Sequence, residues 1–222
     1  MVRIKRSYPE PASLAIEKEK ANGTYRTDEV LKTLSADFFN KCYICEYKNP
    51  NSINVEHLKS HRGDKKLKFS WENLFWSCFH CNNIKLGDYD DILDCTKEDV
   101  EDCIRYKMDL FPMAEVKVTA LNDNNKVEKT VELLNKVYNG TIPLKKIESK
   151  YIRDELLDEL MKLQELILRY IDDELEQDEK ESAKRMIRKH LSSKAAFAAF
   201  KRWIIKDNHE LLREFGDCMD SK

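Results

Sequence analysis

Nowhere in these 222 residues is there a run of about eighteen apolar side chains, so the sequence offers no helix able to cross a bilayer. An apolar export core is also missing, because Met1-Val2-Arg3-Ile4-Lys5-Arg6 leads into Ser7-Tyr8-Pro9-Glu10. The expectation is a cytoplasmic protein. Internal repeats, low-complexity linkers, a helix-turn-helix pattern and repeated zinc fingers are likewise absent from the sequence. Net charge is only −2, which by itself argues against a nucleic-acid partner.

The distribution of charge says more than its sum. Residues 1 to 87 carry 15 Lys and Arg against 10 Asp and Glu, whereas the remainder carries 24 against 31. Positive charge therefore gathers in the first part of the chain, although uneven charge is also common in two-part chains. With 41% hydrophobic and 36% charged residues, the chain can build real cores, and its length suits one large domain or two small ones.

Seven cysteines are present, an odd number. Four form two Cys-x-x-Cys pairs, Cys42-Tyr43-Ile44-Cys45 and Cys78-Phe79-His80-Cys81, with 32 residues between them. Each pair has the spacing that lets two thiolates on a tight turn reach one tetrahedral zinc. The alternative, four buried free thiols, requires duplicated spacing to arise from packing alone. Cys95, Cys103 and Cys218 have no mutual metal spacing.

Periodicity predicts short helices over Leu14–Lys20 and Asp28–Leu34, then strands Ile53–Val55 and Leu74–Ser77 joined by a long loop. Beyond Gly87, Thr96 reads as an N-cap, with Val100, Cys103, Ile104 and Met108 at helical spacing. A strand over Val116–Leu121 and a turn at Asn122-Asp123-Asn124 follow. Helices are then expected over Val127–Tyr138, Ser149–Glu176, Glu179–Leu191, Ser193–Ile205 and Asn208–Phe215. In the long one, Leu156, Leu160, Leu163, Ile167 and Ile171 form an apolar stripe. The aromatics of Phe197 to Ile205 read as core before base-stacking groups.

Between the cysteine pairs lies Ile53-Asn54-Val55-Glu56-His57-Leu58, an apolar strand ending in an acid and a histidine. Trp71-Glu72-Asn73-Leu74 precedes the second pair, which runs into Asn82-Asn83-Ile84-Lys85. Together, Cys-x-x-Cys, Glu-His, Asn-Leu and Cys-x-x-Cys-Asn-x-x-Lys over residues 41 to 87 resemble the signature of HNH (ββα-metal) endonucleases. The resemblance implies an α+β, mostly α, fold: a ββα-metal HNH module with a Cys₄ zinc knuckle plus a helical C-terminal region. It implies His57 as general base, Glu56 as an acidic Mg²⁺ or Mn²⁺ ligand where the family commonly has Asp, Asn82 as the second ligand, and Asn73 as the group orienting the histidine. Asn83, adjacent to Asn82, is the competing ligand. Cys42, Cys45, Cys78 and Cys81 would hold the structural zinc.

The tract Lys59-Ser60-His61-Arg62-Gly63-Asp64-Lys65-Lys66-Leu67-Lys68 reads either as a phosphate-contacting loop or as a solvated lysine-rich one. Lys59, His61, Arg62, Lys65, Lys66, Lys68 and Lys85 are the candidate nucleic-acid contacts, and His80 is a further histidine near the site. The whole-chain layout, with the start Arg3-Ile4-Lys5-Arg6, the zinc-HNH module, the segment Thr119-Ala120-Leu121-Asn122 and a helical tail, is similar to the PtuB family, the HNH subunits of Septu-type antiphage systems. That second resemblance implies an ATPase subunit of PtuA type as partner, possibly within a retron complex. On this reading residues 1–95 form a zinc-stabilised nuclease domain with N-terminal helices, and 96–222 a mostly helical partner-docking domain. The competing functions are a stand-alone restriction or homing endonuclease and a non-catalytic zinc module that binds nucleic acid.

Overall fold

A computed structural model describes residues 1–109 and 115–219. It is α+β and mostly helical, with two small antiparallel sheets. Helices α1 (Ala12–Glu19) and α2 (Asp28–Asp37) come first. The Thr27 side chain starts α2 by accepting from the Val30 amide, and Asp28 and Glu29 supply the acidic first turn. Strand β1 (Ile53–His57) pairs with β2 (Leu74–Cys78) in a register that sets Glu56 opposite Phe75 and His57 opposite Leu74. The basic tract between them holds one turn of helix, α3 (Lys65–Lys68), capped by Asp64 Oδ1 on the Lys66 amide.

Strand β2 leads directly into α4 (Phe79–Lys85), which packs on both strands of the hairpin. The single turn α5 (Val100–Cys103) is followed by β3 (Ile104–Asp109), which pairs with β4 (Glu115–Ala120). The expected helix through Ile104 and Met108 is therefore corrected to a strand. From Ile104 to Lys107 buried and exposed residues alternate strictly, and pairing with the alternating Glu115–Ala120 outweighs a helical spacing that four apolar residues meet by coincidence.

Helix α6 (Asn125–Asn139) lies along β4 and ends at Gly140, whose φ of +71° no Cβ-bearing residue adopts cheaply. Asn135 and Asn139 face the outer edge of β4. Each takes a backbone N–H on its Oδ1 and gives its Nδ2 to the carbonyl of the same residue, Val118 for Asn135 and Val116 for Asn139.

The remaining helices are α7 (Pro143–Ile171), α8 (Gln177–Leu191), α9 (Ala198–Lys206) and α10 (His209–Phe215). Helix α7 begins six residues before the expected Ser149, with proline in its first turn, and stops at Ile171 short of Glu176. Of its predicted stripe, Leu156, Leu163 and Ile167 are buried within this chain and Ile171 is exposed. Helix α9 starts only at Ala198, because the preceding backbone serves another element. The carbonyls of Ser193 and Ala195 accept from Lys41 Nζ, and Phe197, in left-handed conformation, donates its N–H to the Glu46 carbonyl.

One core cluster runs from Met1 and Val2 through Trp71 and Phe75 to Leu156 and Phe200, drawing on both sides of residue 95. A second cluster gathers Leu163, Ile187, Leu191, Ile205 and Phe215. Glu46 ties the first cluster together. Its buried carboxylate accepts from the amides of Val2 and Ala199 and pairs with Lys41 Nζ at 3.3 Å and the Met1 amino group at 3.9 Å. These cations hold its pKa down at about 2 against the upward push of burial. Glu46→Gln is expected to destabilise the chain by about 3–5 kcal/mol, since it strands buried cations that lose their counter-charge. Urea unfolding of the two proteins measures the difference.

Candidate functional site

The four cysteines of the two Cys-x-x-Cys pairs are brought together by local structure. Cys42 and Cys45 sit on a turn closed by the Lys41–Lys48 bridge, Cys78 caps α4, and Cys81 lies in the first turn of that helix. All four are buried and unbridged. Their sulfurs lie within 4.8 Å of one another, and Cys45 and Cys78 are 3.8 Å apart. A tetrahedral zinc with bonds of about 2.3 Å spaces its sulfurs about 3.8 Å apart, so the cluster is compatible with a closed structural zinc site. Burial drives the Cys45 and Cys81 thiols well upward, and a divalent cation is what would hold them as thiolates. Among the described residues this is the one group of three or more His, Cys, Asp or Glu side chains placed to hold an ion.

Next to it, the end of β1, the basic tract and α4 enclose an open cavity of about 430 Å³ lined by Glu56, His57, Ser60, His61, Arg62, Asn82, Leu86 and Gly87. Glu56, His57 and Asn82 are thus together, and it is Asn82, not Asn83, that faces this space. The buried His57 ring is held edge-on between Tyr25 at 4.6 Å and His61 at 4.9 Å. Its Nε2 lies 3.0 Å from the Lys68 carbonyl. A carbonyl only accepts, so Nε2 carries the proton and Nδ1 is the basic nitrogen. Nδ1 has no hydrogen-bond partner among the described residues. Burial lowers the His57 pKa to about 4, which keeps the ring neutral and able to take a proton at pH 7. A phosphate anion in the cavity would oppose that depression.

Glu56 is shifted upward by burial, against the pull of Lys85. Lys85 itself is 0% exposed, with Nζ 3.0 Å from Glu56 Oε1 and 2.9 Å from the His57 carbonyl. The expectation that it contacts nucleic acid is corrected: its ammonium points inward. Lys68 is also turned away, donating to the Gly23 carbonyl and lying over the Phe69 ring. Lys59, Arg62, Lys65 and Lys66 are exposed and His61 is half-buried, so these five are at the surface.

Asn73 makes no hydrogen bond to the imidazole. Its Oδ1 accepts from the Lys59 amide, and its Nδ2 donates to the carbonyls of Lys59 and Leu67. It thereby closes the two ends of the basic tract and fixes the peptide next to Lys68, whose carbonyl orients His57. His80 is outside the cavity as well. Its two nitrogens reach Glu148 at 2.6 Å and the Val137 carbonyl at 2.9 Å, joining α4 to α7 and α6.

Three contributors carry no motif in the sequence. Tyr25 flanks His57, Asp90 accepts from the Ser60 amide and meets Arg62, and Leu86 lines the cavity with a φ of +41°. Only the aromatic Tyr25 beside an Asn-Gly turn offers any local signal. No family model, curated protein or solved structure matches the chain.

Proposed function

We propose that this chain is a divalent-metal-dependent nuclease of the HNH type that hydrolyses phosphodiester bonds in nucleic acid. What carries the reading is the convergence of Glu56, His57 and Asn82 on one open cavity, on a strand–strand–helix unit anchored by the four-cysteine cluster. A passive zinc module has no need of an acid, a neutral histidine with one nitrogen fixed, and an asparagine around the same space.

The oxygen donors of Glu56 and Asn82 suit Mg²⁺ or Mn²⁺, which bind through few protein oxygens and keep several waters. When bound, such a cation supplies stabilisation of charge on the scissile phosphate and the leaving oxygen. The rest falls to the chain. His57 Nδ1 takes the proton of the attacking water, while the Lys68 carbonyl on Nε2 holds the ring and the tautomer in place. Arg62, which lines the cavity, and the exposed Lys59, Lys65 and Lys66 of the basic tract bind flanking phosphates without reading bases. The test is incubation of the purified chain with labelled DNA and total RNA in Mg²⁺ or Mn²⁺. Absence of any chelator-sensitive cleavage, alone or with its partner, would sink the reading.

The setting we propose is a bacterial antiphage system in which an ATPase subunit of PtuA type controls the nuclease. Leu156, Leu163 and Ile167 of the α7 stripe are buried, so the docking surface is assigned instead to the start of that helix. There Leu144, Ile147 and Tyr151 share one side and are 55–69% exposed, an arrangement that suits an apolar partner face. Tyr151→Asp is expected to abolish co-purification with the co-expressed ATPase and to leave intrinsic cleavage unchanged. Retention of the complex removes this face from the interface.

A further inference from the structure

Consecutive residues of a strand point to opposite faces, yet Glu56 and His57 are the last two residues of β1 and both line the same cavity. Something has to turn them together. Lys85, the last residue of α4, reaches back to the end of β1 and spends its three donor protons on three oxygens: Glu56 Oε1 at 3.0 Å, the His57 carbonyl at 2.9 Å and the Leu86 carbonyl at 3.3 Å. One ammonium therefore grips the side chain of the first residue and the backbone of the second. Glu56 Oε2 has no hydrogen-bond partner among the described residues. Asn82 sits one turn earlier on the same helix, so the grip also sets the separation of Glu56 from Asn82.

The backbone at Leu86 bears on the same point. Its φ of +41° and ψ of −145° lie where a side chain with a Cβ is strained. That conformation directs its carbonyl to Lys85. A lysine needed only to neutralise a buried acid has no use for it.

We infer that Lys85 is a positioning residue that turns Glu56 and His57 toward one cavity and holds the Glu56 carboxylate in place for a divalent cation. It touches neither substrate nor cation, and the inference rests on the nuclease reading only for the purpose of that cation. Groups that orient a metal ligand typically contribute 10- to 100-fold to metal affinity.

The experiment is a Mn²⁺ titration of the full chain, followed by electron paramagnetic resonance and by paramagnetic broadening of the His57 ring protons. The proteins compared are wild type, Lys85→Gln, Lys85→Met, Glu56→Gln and the double variant Lys85→Gln/Glu56→Gln. Zinc content and thermal unfolding establish that each is folded. Lys85→Gln keeps a neutral donor at the site, so it serves if Lys85→Met does not fold. Expected is at least a 10-fold loss of Mn²⁺ affinity in Lys85→Gln, a larger loss in Glu56→Gln, and no further loss in the double variant, since the lysine acts through the glutamate.

Equal affinity in wild type and Lys85→Gln overturns the inference, and so do losses that simply add. A wild-type chain that binds no Mn²⁺ near His57 overturns it too. Binding that depends on Lys85 in a chain that cleaves neither DNA nor RNA supports the positioning role and removes the nuclease reading instead.

Discussion

Replacing His57 by alanine is expected to lower phosphodiester cleavage by about 10²- to 10⁴-fold, the usual contribution of a general base. Zinc content is expected to stay unchanged. The separation of effects follows from where the ring sits. His57 stands at the end of β1, and its ring makes one hydrogen bond, to the Lys68 carbonyl. The cysteine cluster is built from the turn after α2 and the start of α4. Removing the imidazole leaves a gap on the cavity side, between Tyr25 and His61, and strands no buried charge. Cleavage rates under saturating Mn²⁺, compared at equal folded concentration, measure the effect. Near wild-type turnover by His57→Ala would falsify the assignment of the base.

Cys45→Ser is expected to give a chain that does not fold. Its sulfur is fully buried and lies 3.8 Å from Cys78. A serine there leaves three thiols and a hydroxyl around a space suited to zinc–thiolate bonds, and structural zinc is worth roughly 10 kcal/mol or more of apparent binding free energy. That is comparable with the whole net stability of a typical domain. The loss would extend well beyond the knuckle, because the main chain of Glu46, the next residue, carries the Phe197 amide and its carboxylate gathers Val2, Lys41 and Ala199. Soluble, zinc-free wild-type protein with full helical content, shown by elemental analysis and circular dichroism, would remove the metal from the account of stability.

How much of this is legible in the sequence depends on how local each determinant is. The Cys-x-x-Cys pairs, the Glu56-His57 step and the hairpin around them are written within short segments, and the structure brings them together at the cavity and the cluster. Strand β3 is not legible locally, because its partner lies beyond a stretch of chain and only pairing reveals the alternation of Ile104, Arg105, Tyr106 and Lys107. The start of α7 at Pro143 differs from the expected Ser149 because the apolar stripe, which sets the expected boundary, begins later than the helix.

Lys68 and Lys85 depart from the sequence expectation for one shared reason. A lysine in a basic run or at a helix end reads as solvated, and only the fold shows that Gly23, Glu56 and His57 supply oxygens to receive these ammonium groups. Asn73 lies in the expected neighbourhood, and its hydrogen bonds go to the Lys59 backbone and the Leu67 carbonyl.

The pair of asparagines on α6 bears on how this protein behaves in the company of its own copies. A two-stranded sheet with a free margin is a template on which another chain can lay a strand. Four residues of helix advance about 6 Å and two residues of strand about 6.8 Å, so Asn135 and Asn139 keep step with Val118 and Val116. Their amides stand in for the missing neighbour, and the same two positions that complete the ladder inside one molecule deny it to the next. A crowded cell full of newly made chains is where that denial matters, and it rests on two side chains that play no part in the chemistry.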